Sequence, residues 1–449
     1  MMVNKLKKIT REKNISSLLA NVVAAFLGLL SFMLLTRQLS KELFGDWVLF
    51  ITLATFVDLL RFGLTRTSVV RLLSGAQQEH YKQLLGSSFR INLLLLLCIV
   101  GVCWPLYGLC QLMGWDSGNG YALFLSWYPI LALSNLGWNN ASALFQAEQN
   151  FNRMLYVRLS NIGLFVIFLW LNGFYLKWGL LEIIWVNLLV NFGSSLWCTL
   201  KKWDGLFYVG HANKKIEKEL IGFGKYSMGT LIGSSLLKSA DTLIIGMSPV
   251  LGSTGIAMYA IPLKLTDLLG IPLRSFTMTA YPRMSKKSID GDFEGVRKTF
   301  YAYSGAITIL FIPVAIFCFV FAEELILFLG GKAYADVLPM LVMVFRVFTL
   351  YTILLPVDRF TGVLLDSIDR PKLNMYKVVF MTLANIIMNV IAVFVFESLV
   401  VVAIGTVLFT LLGIFLGFYY LGKEIDIKGK HIIPEGIFFF KHINSYLAR

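Results

Sequence analysis

Charged residues are scarce in this sequence. Only 15% of the 449 residues are charged and 57% are apolar, whereas a soluble domain typically has about 25% charged and about 45–50% apolar residues. This composition argues against a soluble enzyme. Because a membrane-spanning helix takes about 20 mostly apolar residues, the apolar content is enough for roughly a dozen such helices. The sequence therefore predicts a polytopic membrane protein.

Motifs for catalysis and metal binding are also missing. The five cysteines lie in or beside apolar runs without Cys-x-x-Cys spacing, which indicates reduced, buried thiols. The four histidines are scattered without His-x-x-x-His spacing, and there is no Gly-x-x-x-x-Gly-Lys-Ser/Thr motif for ATP hydrolysis. The net charge of +14 is spread over short segments between apolar runs, which argues against nucleic-acid binding. We expect no enzymatic activity, catalytic residue, metal or cofactor.

Apolar runs of spanning length are abundant, and the sequence predicts twelve helices from them. The expected spans are 16–36, 43–64, 88–110, 121–145, 157–176, 179–200, 226–247, 254–281, 300–329, 337–365, 375–396 and 400–421. Of the 40 Lys and Arg residues, 31 lie in or within a few residues of the segments on one side of this arrangement, and 4 lie in the loops on the other. Since cytoplasmic loops retain positive charge, the distribution predicts two cytoplasmic termini.

A long Lys-rich interruption after the sixth span divides the predicted helices into two halves. Parallel six-helix repeats are a plan used by transporters, with the substrate site between the halves. We therefore expect an all-α integral membrane protein with two six-helix lobes around a central cavity. The expected boundaries are 1–205 for the first lobe, 206–225 for a cytoplasmic connection, 226–422 for the second lobe and 423–449 for a cytoplasmic tail.

Ten of the ionisable side chains inside the predicted spans are candidates for binding a substrate or an ion. They are Asp58, Arg61, Lys238, Asp241, Lys264, Asp267, Arg274, Arg346, Asp358 and Arg359. At about 2.5–3.5 kcal/mol each, leaving them all in contact with lipid would cost more than the usual net stability of a protein, about 5–15 kcal/mol. These groups must face one another or a wet cavity.

Six of these residues form opposite-charge pairs at i and i+3, a spacing that places both members on one helix face. The pairs are Asp58 with Arg61, Lys238 with Asp241, and Lys264 with Asp267. One interpretation is that they neutralise each other and hold helices together. The other is a cavity whose cations bind an anionic headgroup and whose carboxylates take up a proton or a cation.

Several segments resemble one family of membrane transporters. They are Asn14-Ile-Ser-Ser-Leu-Leu19, Leu35-Thr-Arg-Gln-Leu39 with Gly45, Ser239-Ala-Asp-Thr-Leu-Ile-Ile-Gly246, Tyr281-Pro-Arg-Met-Ser285 and Gly331-Lys-Ala-Tyr334. In their order and spacing they resemble the Wzx-type O-antigen flippases, in the polysaccharide transport branch of the multidrug/oligosaccharidyl-lipid/polysaccharide (MOP) exporter superfamily.

This resemblance implies a flippase that moves undecaprenyl-pyrophosphate-linked oligosaccharide from the cytoplasmic to the outer leaflet of a bacterial inner membrane by alternating access. It implies that the headgroup is bound by Arg61, Lys238, Lys264, Arg274 and Arg346. The candidates for ion coupling are Asp58, Asp241, Asp267 and Asp358. Besides the lipid-linked oligosaccharide and membrane lipid, the expected partners are a polysaccharide polymerase and the chain-length machinery.

Two alternatives stay open. One is a multidrug exporter of the same fold, driven by protons or sodium ions, although six basic against four acidic residues in the spans argue against an acidic drug site. The other is a membrane glycosyltransferase or polymerase. Its acid, base or metal ligands would need a sizeable extramembrane loop, and every predicted outer loop is short.

Overall fold

The computed structural model describes residues 13–73, 78–114, 119–148 and 150–441, and every regular element among them is helical. The first seven α-helices are α1 (Lys13–Gln38), α2 (Lys41–Leu73), α3 (Gln78–Leu112), α4 (Gly120–Ser134), α5 (Leu136–Ala147), α6 (Phe151–Leu171) and α7 (Leu180–Leu200). The others are α8 (Lys214–Gly246), α9 (Gly252–Ile289), α10 (Phe293–Val320), α11 (Ala322–Gly330), α12 (Leu338–Ser367), α13 (Pro371–Phe394), α14 (Leu399–Ile425) and α15 (Ile432–Lys441).

The all-α membrane fold is confirmed. Each of the twelve predicted spans overlaps an observed helix. Within the described ranges, nine helices are long and apolar enough to cross a membrane, and two shorter apolar helices cover Val22–Gln38 and Gly120–Ser134. The protein is therefore a multi-pass membrane protein with about twelve spans.

Two predicted spans are interrupted. The run 121–145 breaks at Asn135, which separates α4 from α5, and the run 300–329 breaks at Phe321, which separates α10 from α11. Apolar composition alone does not reveal such breaks, because the residues on both sides remain apolar. At membrane depth a broken helix is tolerated only where other groups satisfy the freed backbone atoms.

The chain divides into two compact units, residues 1–235 and 236–449. The division lies inside α8. The segment before α8 and the first turns of α8 pack on α2 and α3. The backbone N–H of Asn213 donates to Ser87 Oγ at 3.0 Å, and Arg90 lies 3.5 Å from Glu217. Ser68 Oγ also donates to the Leu220 carbonyl at 2.9 Å. The stretch expected to be a separate connection is thus fastened to α2 and α3.

The second unit is built around a core of α9, α10, α12, α14 and α15 side chains. Glycines allow close helix contacts there. A Cβ at Gly413 would meet both Asp358 and Met381, and one at Gly417 would meet Thr361. These two α14 glycines, spaced by four residues on one helix face, let α14 lie against α12.

Candidate substrate and ion sites

In the first unit, Asp58 and Arg61 form the ion pair that their spacing predicts. Arg61 Nη2 lies 3.4 Å from Asp58 Oδ1, and the Arg61 side chain is almost fully buried. Asn135 joins both groups, accepting from Arg61 Nη2 at 2.5 Å and donating to Asp58 Oδ2 at 2.6 Å. Tyr128 donates its hydroxyl proton to Asp58 Oδ1 at 2.9 Å, and the Arg61 guanidinium lies 4.1 Å from the centre of the Phe62 ring. The pair is therefore embedded in a polar network.

Side chains around this pair also bind the backbone groups that are left free at the break between α4 and α5. Arg61 Nη1 donates to the Ala132 carbonyl at 2.9 Å, and Ser195 Oγ donates to the Ser134 carbonyl at 2.6 Å. The Trp138 N–H in turn donates to Ser195 Oγ at 3.2 Å. Because an unsatisfied backbone group in hydrocarbon costs several kcal/mol, side chains from α2 and α7 are what make this break possible.

A second layer of buried amides continues from this break. Asn92 Nδ2 donates to Thr65 Oγ1 at 3.0 Å and to Asn140 Oδ1 at 2.7 Å. Two buried donors, Arg61 Nε and Asn140 Nδ2, find no hydrogen-bond partner among the described residues. Sequence reasoning identified the charged pair and missed the amides, since uncharged polar residues in apolar runs carry little signal by themselves.

In the second unit, Asp241 is buried and forms no ion pair with Lys238. It accepts from the Tyr259 hydroxyl at 2.8 Å and from Asn389 Nδ2 at 2.6 Å. Asn389 also donates to Asn385 Oδ1 at 2.7 Å. The predicted pairing of Lys238 with Asp241 is therefore wrong. Side chains three residues apart diverge by about 60° around a helix, so Asp241 turns into the unit while Lys238 stays exposed.

The other charges of α8 and α9 form a cluster. Lys238 lies within electrostatic reach of Asp267, Arg274 and Arg359. Lys264, which is half-buried, also lies within reach of Asp267. Lys238, Asp267, Arg274 and Arg359 are exposed on the unit. The structure thus brings three of the five expected headgroup-binding residues, Lys238, Lys264 and Arg274, into one region of the second unit.

Asp358, by contrast, forms an ion pair with a residue that the sequence did not suggest. Lys377 Nζ lies 2.7 Å from Asp358 Oδ1 and donates to the Asp358 carbonyl at 2.6 Å and to Thr361 Oγ1 at 2.9 Å. Lys377 lies near the start of the predicted span 375–396, whereas α13 begins at Pro371 and carries its side chain into the core. Pro371 was the available signal, because proline favours the first turn of a helix.

Arg346 lies outside the cluster around Lys238. Its guanidinium lies 4.9 Å from the centre of the Phe319 ring, and its Nε donates to the Phe319 carbonyl at 3.4 Å. The side chain is exposed at the end of α10. Within the described part of the chain, no group of three or more His, Cys, Asp and Glu side chains is arranged to hold a metal ion.

Comparison with known families decides the classification. A family model described as polysaccharide biosynthesis protein matches residues 34–339, more than half of the chain. The chain belongs to this family. No curated protein matches this family member.

Solved structures show the fold of this polysaccharide biosynthesis protein. An inward-facing multidrug resistance MATE family transporter of the MOP superfamily has a TM-score of 0.75 at 17% identity, covering 90% of this chain and 94% of that one. The lipid II flippase MurJ in an inward closed conformation has a TM-score of 0.74 at 14% identity, covering 96% and 92%. A MOP superfamily transporter from Pyrococcus furiosus, described by the reverse polarity of its binding pocket, has a TM-score of 0.65 at 17% identity, covering 93% and 95%.

The family is that of polysaccharide biosynthesis proteins, and the solved structures show that the chain shares the fold of MOP superfamily transporters. This polysaccharide biosynthesis protein is a multi-pass membrane protein. Its fold is shared by drug exporters and by a lipid flippase, so the fold does not choose between the two activities. The arrangement of charges has to make that choice.

Proposed function

We propose that this protein flips an undecaprenyl-pyrophosphate-linked oligosaccharide, the repeat unit of O-antigen or another surface polysaccharide, from the cytoplasmic to the outer leaflet of a bacterial inner membrane. Such a headgroup carries a charged diphosphate and many hydroxyls, each costly to transfer through hydrocarbon. A protein that shelters the headgroup while the polyprenyl tail stays in lipid removes that cost.

The main support for the proposal is the distribution of charged side chains in the second unit between its core and its surface. The cluster around Lys238 exposes three cations, Lys238, Arg274 and Arg359, with one carboxylate, Asp267, while Asp241 is buried. The exposed surface around Lys238 is therefore cationic. Lysine and arginine bind phosphate oxygens through charge-assisted hydrogen bonds, so a diphosphate suits this surface and a cationic drug does not.

Lys238, Lys264 and Arg274 form the centre of the proposed headgroup site. In the proposal, Arg346 and Arg61 contact the headgroup apart from this centre. Arg346 is exposed but lies on Phe319, so in the proposal it contacts the headgroup at another stage of transport. Arg61 is buried, and its unpartnered Nε is the donor that it offers once the network with Asp58 opens.

Among the candidates for ion coupling, Asp241 has the most suitable surroundings. It is buried beside two amides and a tyrosine hydroxyl and forms no ion pair among the described residues. Oxygen ligands of this kind accept a proton or a hard monovalent cation. Asp58 is paired with Arg61, Asp358 with Lys377, and Asp267 faces lysines, so these three have less freedom to take up a cation.

Transport by alternating access exposes the headgroup site to each side in turn. Since residues 201–220 are fastened to the first unit, we propose that the flexible point lies inside α8 near Ser235, where the two units divide. Both termini are cytoplasmic in this proposal, and a polymerase with its chain-length machinery receives the flipped product.

The test is a double variant, Lys238→Ala with Lys264→Ala, in the source bacterium. Losing two charge-assisted hydrogen bonds, each about 1.5–3 kcal/mol, should lower flipping by about 100-fold or more and abolish surface polysaccharide while protein stays in the membrane. The matched control is Lys214→Ala with Lys215→Ala, two exposed lysines at the start of α8. Normal polysaccharide in the first variant would overturn the site.

Drug sensitivity separates the flippase from the multidrug exporter. A strain lacking the gene should keep its resistance to cationic drugs and accumulate lipid-linked oligosaccharide in the cytoplasmic leaflet. Lost resistance with unchanged surface polysaccharide would contradict the proposed function and favour the exporter.

A further inference from the structure

The segment after the last span contains a mostly apolar helix, in which the charged residues are Glu435 and Lys441. Helix α15 (Ile432–Lys441) follows α14 within seven residues and has the sequence Ile-Ile-Pro-Glu-Gly-Ile-Phe-Phe-Phe-Lys. A helix with large exposed apolar residues on one face lies against protein or membrane, whereas a solvated tail would be polar there. We propose that α15 inserts into one leaflet of the membrane beside α10, with lipid acyl chains covering its outward face. This inference is independent of the transported substrate.

The inward face of α15 is fixed to a spanning helix. Its buried residues are Ile432, Gly436 and Phe439. A Cβ at Gly436 would collide with the Gly305 backbone of α10, and one at Gly305 would collide with Ile432 and Gly436. Phe439 also packs on the Tyr303 ring at 5.4 Å. Close crossing at paired glycines is how helices associate in lipid.

The crossing point lies within the membrane part of α10. The stretch from Phe300 to Val320 has no charged residue and is about the length of one span. Arg297, just before it, donates to the Ile425 carbonyl at the end of α14 at 3.2 Å. Gly305 is eight residues further along α10, a rise of about 12 Å. From the end of α14 the chain therefore runs back into the membrane instead of leaving it.

The outward face of α15 is a continuous apolar surface. Its exposed residues before Lys441 are Ile433 (42%), Pro434, Ile437 (47%), Phe438 (48%) and Phe440 (41%). Exposed apolar residues of α10 continue this surface deeper along the span, among them Leu310, Ile316 and Phe317. Because the lipid that surrounds a spanning helix also surrounds a short helix beside it, acyl chains are the occupant that this continuity indicates.

Basic residues border α15 at both ends. Lys428, Lys430 and His431 precede it and Lys441 ends it, all of them exposed. Ten residues extend about 15 Å, half the hydrocarbon thickness of about 30 Å. A helix of this length fits one leaflet, with Lys428 and Lys430 at its start reaching anionic headgroups. In the proposed orientation this is the cytoplasmic leaflet.

Site-specific quenching tests the insertion. A genetically encoded fluorescent amino acid replaces Phe438 in the full chain, which is reconstituted into vesicles of phosphatidylethanolamine and phosphatidylglycerol. The lipid control carries the same label at Phe317 of α10, and the water control carries it at Lys214. At position 438 we expect quenching by lipids brominated on the acyl chain comparable to that at 317, and iodide quenching about fivefold weaker than at 214.

Two results would overturn the proposal. Iodide quenching at 438 equal to that at 214 would place α15 in water. Protection from both quenchers would mean that another protein segment or a second copy covers the face. If the 438 variant does not reach the membrane, the same label at Ile437, which shares the exposed face, gives the same readout.

Discussion

Lys377 and Asp358 form a buried ion pair that joins α13 to α12. The Lys377 Nζ lies 2.7 Å from Asp358 Oδ1, and both side chains are at least nine-tenths buried. A Cβ on Gly413 of α14 would lie 2.5 Å from Asp358 Oδ1. The backbone of α14 therefore packs directly against the ion pair. The neighbouring Arg359 is exposed and lies within electrostatic reach of Lys238. The pair therefore fixes the rotation of α12 that exposes Arg359.

Breaking this pair should destabilise the protein. Lys377→Met leaves the Asp358 carboxylate buried without its partner, which costs about 3–5 kcal/mol. We expect a clearly lower thermal unfolding temperature in detergent, and partial recovery when Asp358→Asn is added, because the second change removes the unpaired charge. The exposed ion pair of Lys428 with Asp426, 3.5 Å apart, supplies the control: Lys428→Met should leave the temperature nearly unchanged. Equal effects of the two lysine variants would contradict the buried pair.

The glycines of α14 should tolerate substitution unequally. Gly413→Ala places a methyl group against Asp358 and Met381, and overpacking of this kind costs about 1–3 kcal/mol. In the same helix, a Cβ at Gly422 would meet nothing within 4 Å, so Gly422→Ala should be neutral or stabilising because alanine favours helix. Thermal unfolding of both variants checks the difference. A Gly413→Ala variant as stable as Gly422→Ala would contradict the close approach of α14 to α12.

The break between α4 and α5 should depend on Ser195. Ser195→Ala removes the hydroxyl that serves the Ser134 carbonyl and the Trp138 N–H, and leaving these groups unpaired costs about 1–3 kcal/mol. Ser126→Ala is the control, because the Ser126 hydroxyl donates only to carbonyls of its own helix, those of Ala122 and Leu123. We expect a lower unfolding temperature for Ser195→Ala alone. Indistinguishable variants would show that the hydroxyl does not support the break.

Ion coupling at Asp241 predicts a response of stability to cations. A cation or proton bound only by the folded protein raises the unfolding temperature as its concentration rises. We expect this rise, measured by titration with sodium chloride and with acid against a choline chloride control, to disappear in Asp241→Asn and to persist in Asp267→Asn. Both variants keep the size of the side chain and remove one negative charge. A response that survives Asp241→Asn would exclude this residue as the coupling site.

The twelve spans were predictable from the sequence because spanning length and charge scarcity are local properties of a segment. The pair of Asp58 with Arg61 was predictable for the same reason, since both residues belong to one helix turn. The pair of Lys238 with Asp241 has the same spacing and does not form, because Tyr259 and Asn389 bind the carboxylate from other helices. Spacing defines the partners that a charge can reach, and packing chooses among them.

The sequence by itself determined that this chain lies in a membrane, that about twelve helices cross it and that charges such as Asp58 and Arg61 must find partners there. Only the tertiary structure decided that Lys377 neutralises Asp358 and that Arg61 donates a hydrogen bond to a backbone carbonyl beside the break between α4 and α5. It also decided that a short helix after the last span packs on α10 at Gly305. Each of these depends on residues far apart in the chain meeting at a few ångströms. The physical reason is that hydrocarbon supplies no hydrogen bonds, so every polar group is satisfied by whichever helix packing brings closest.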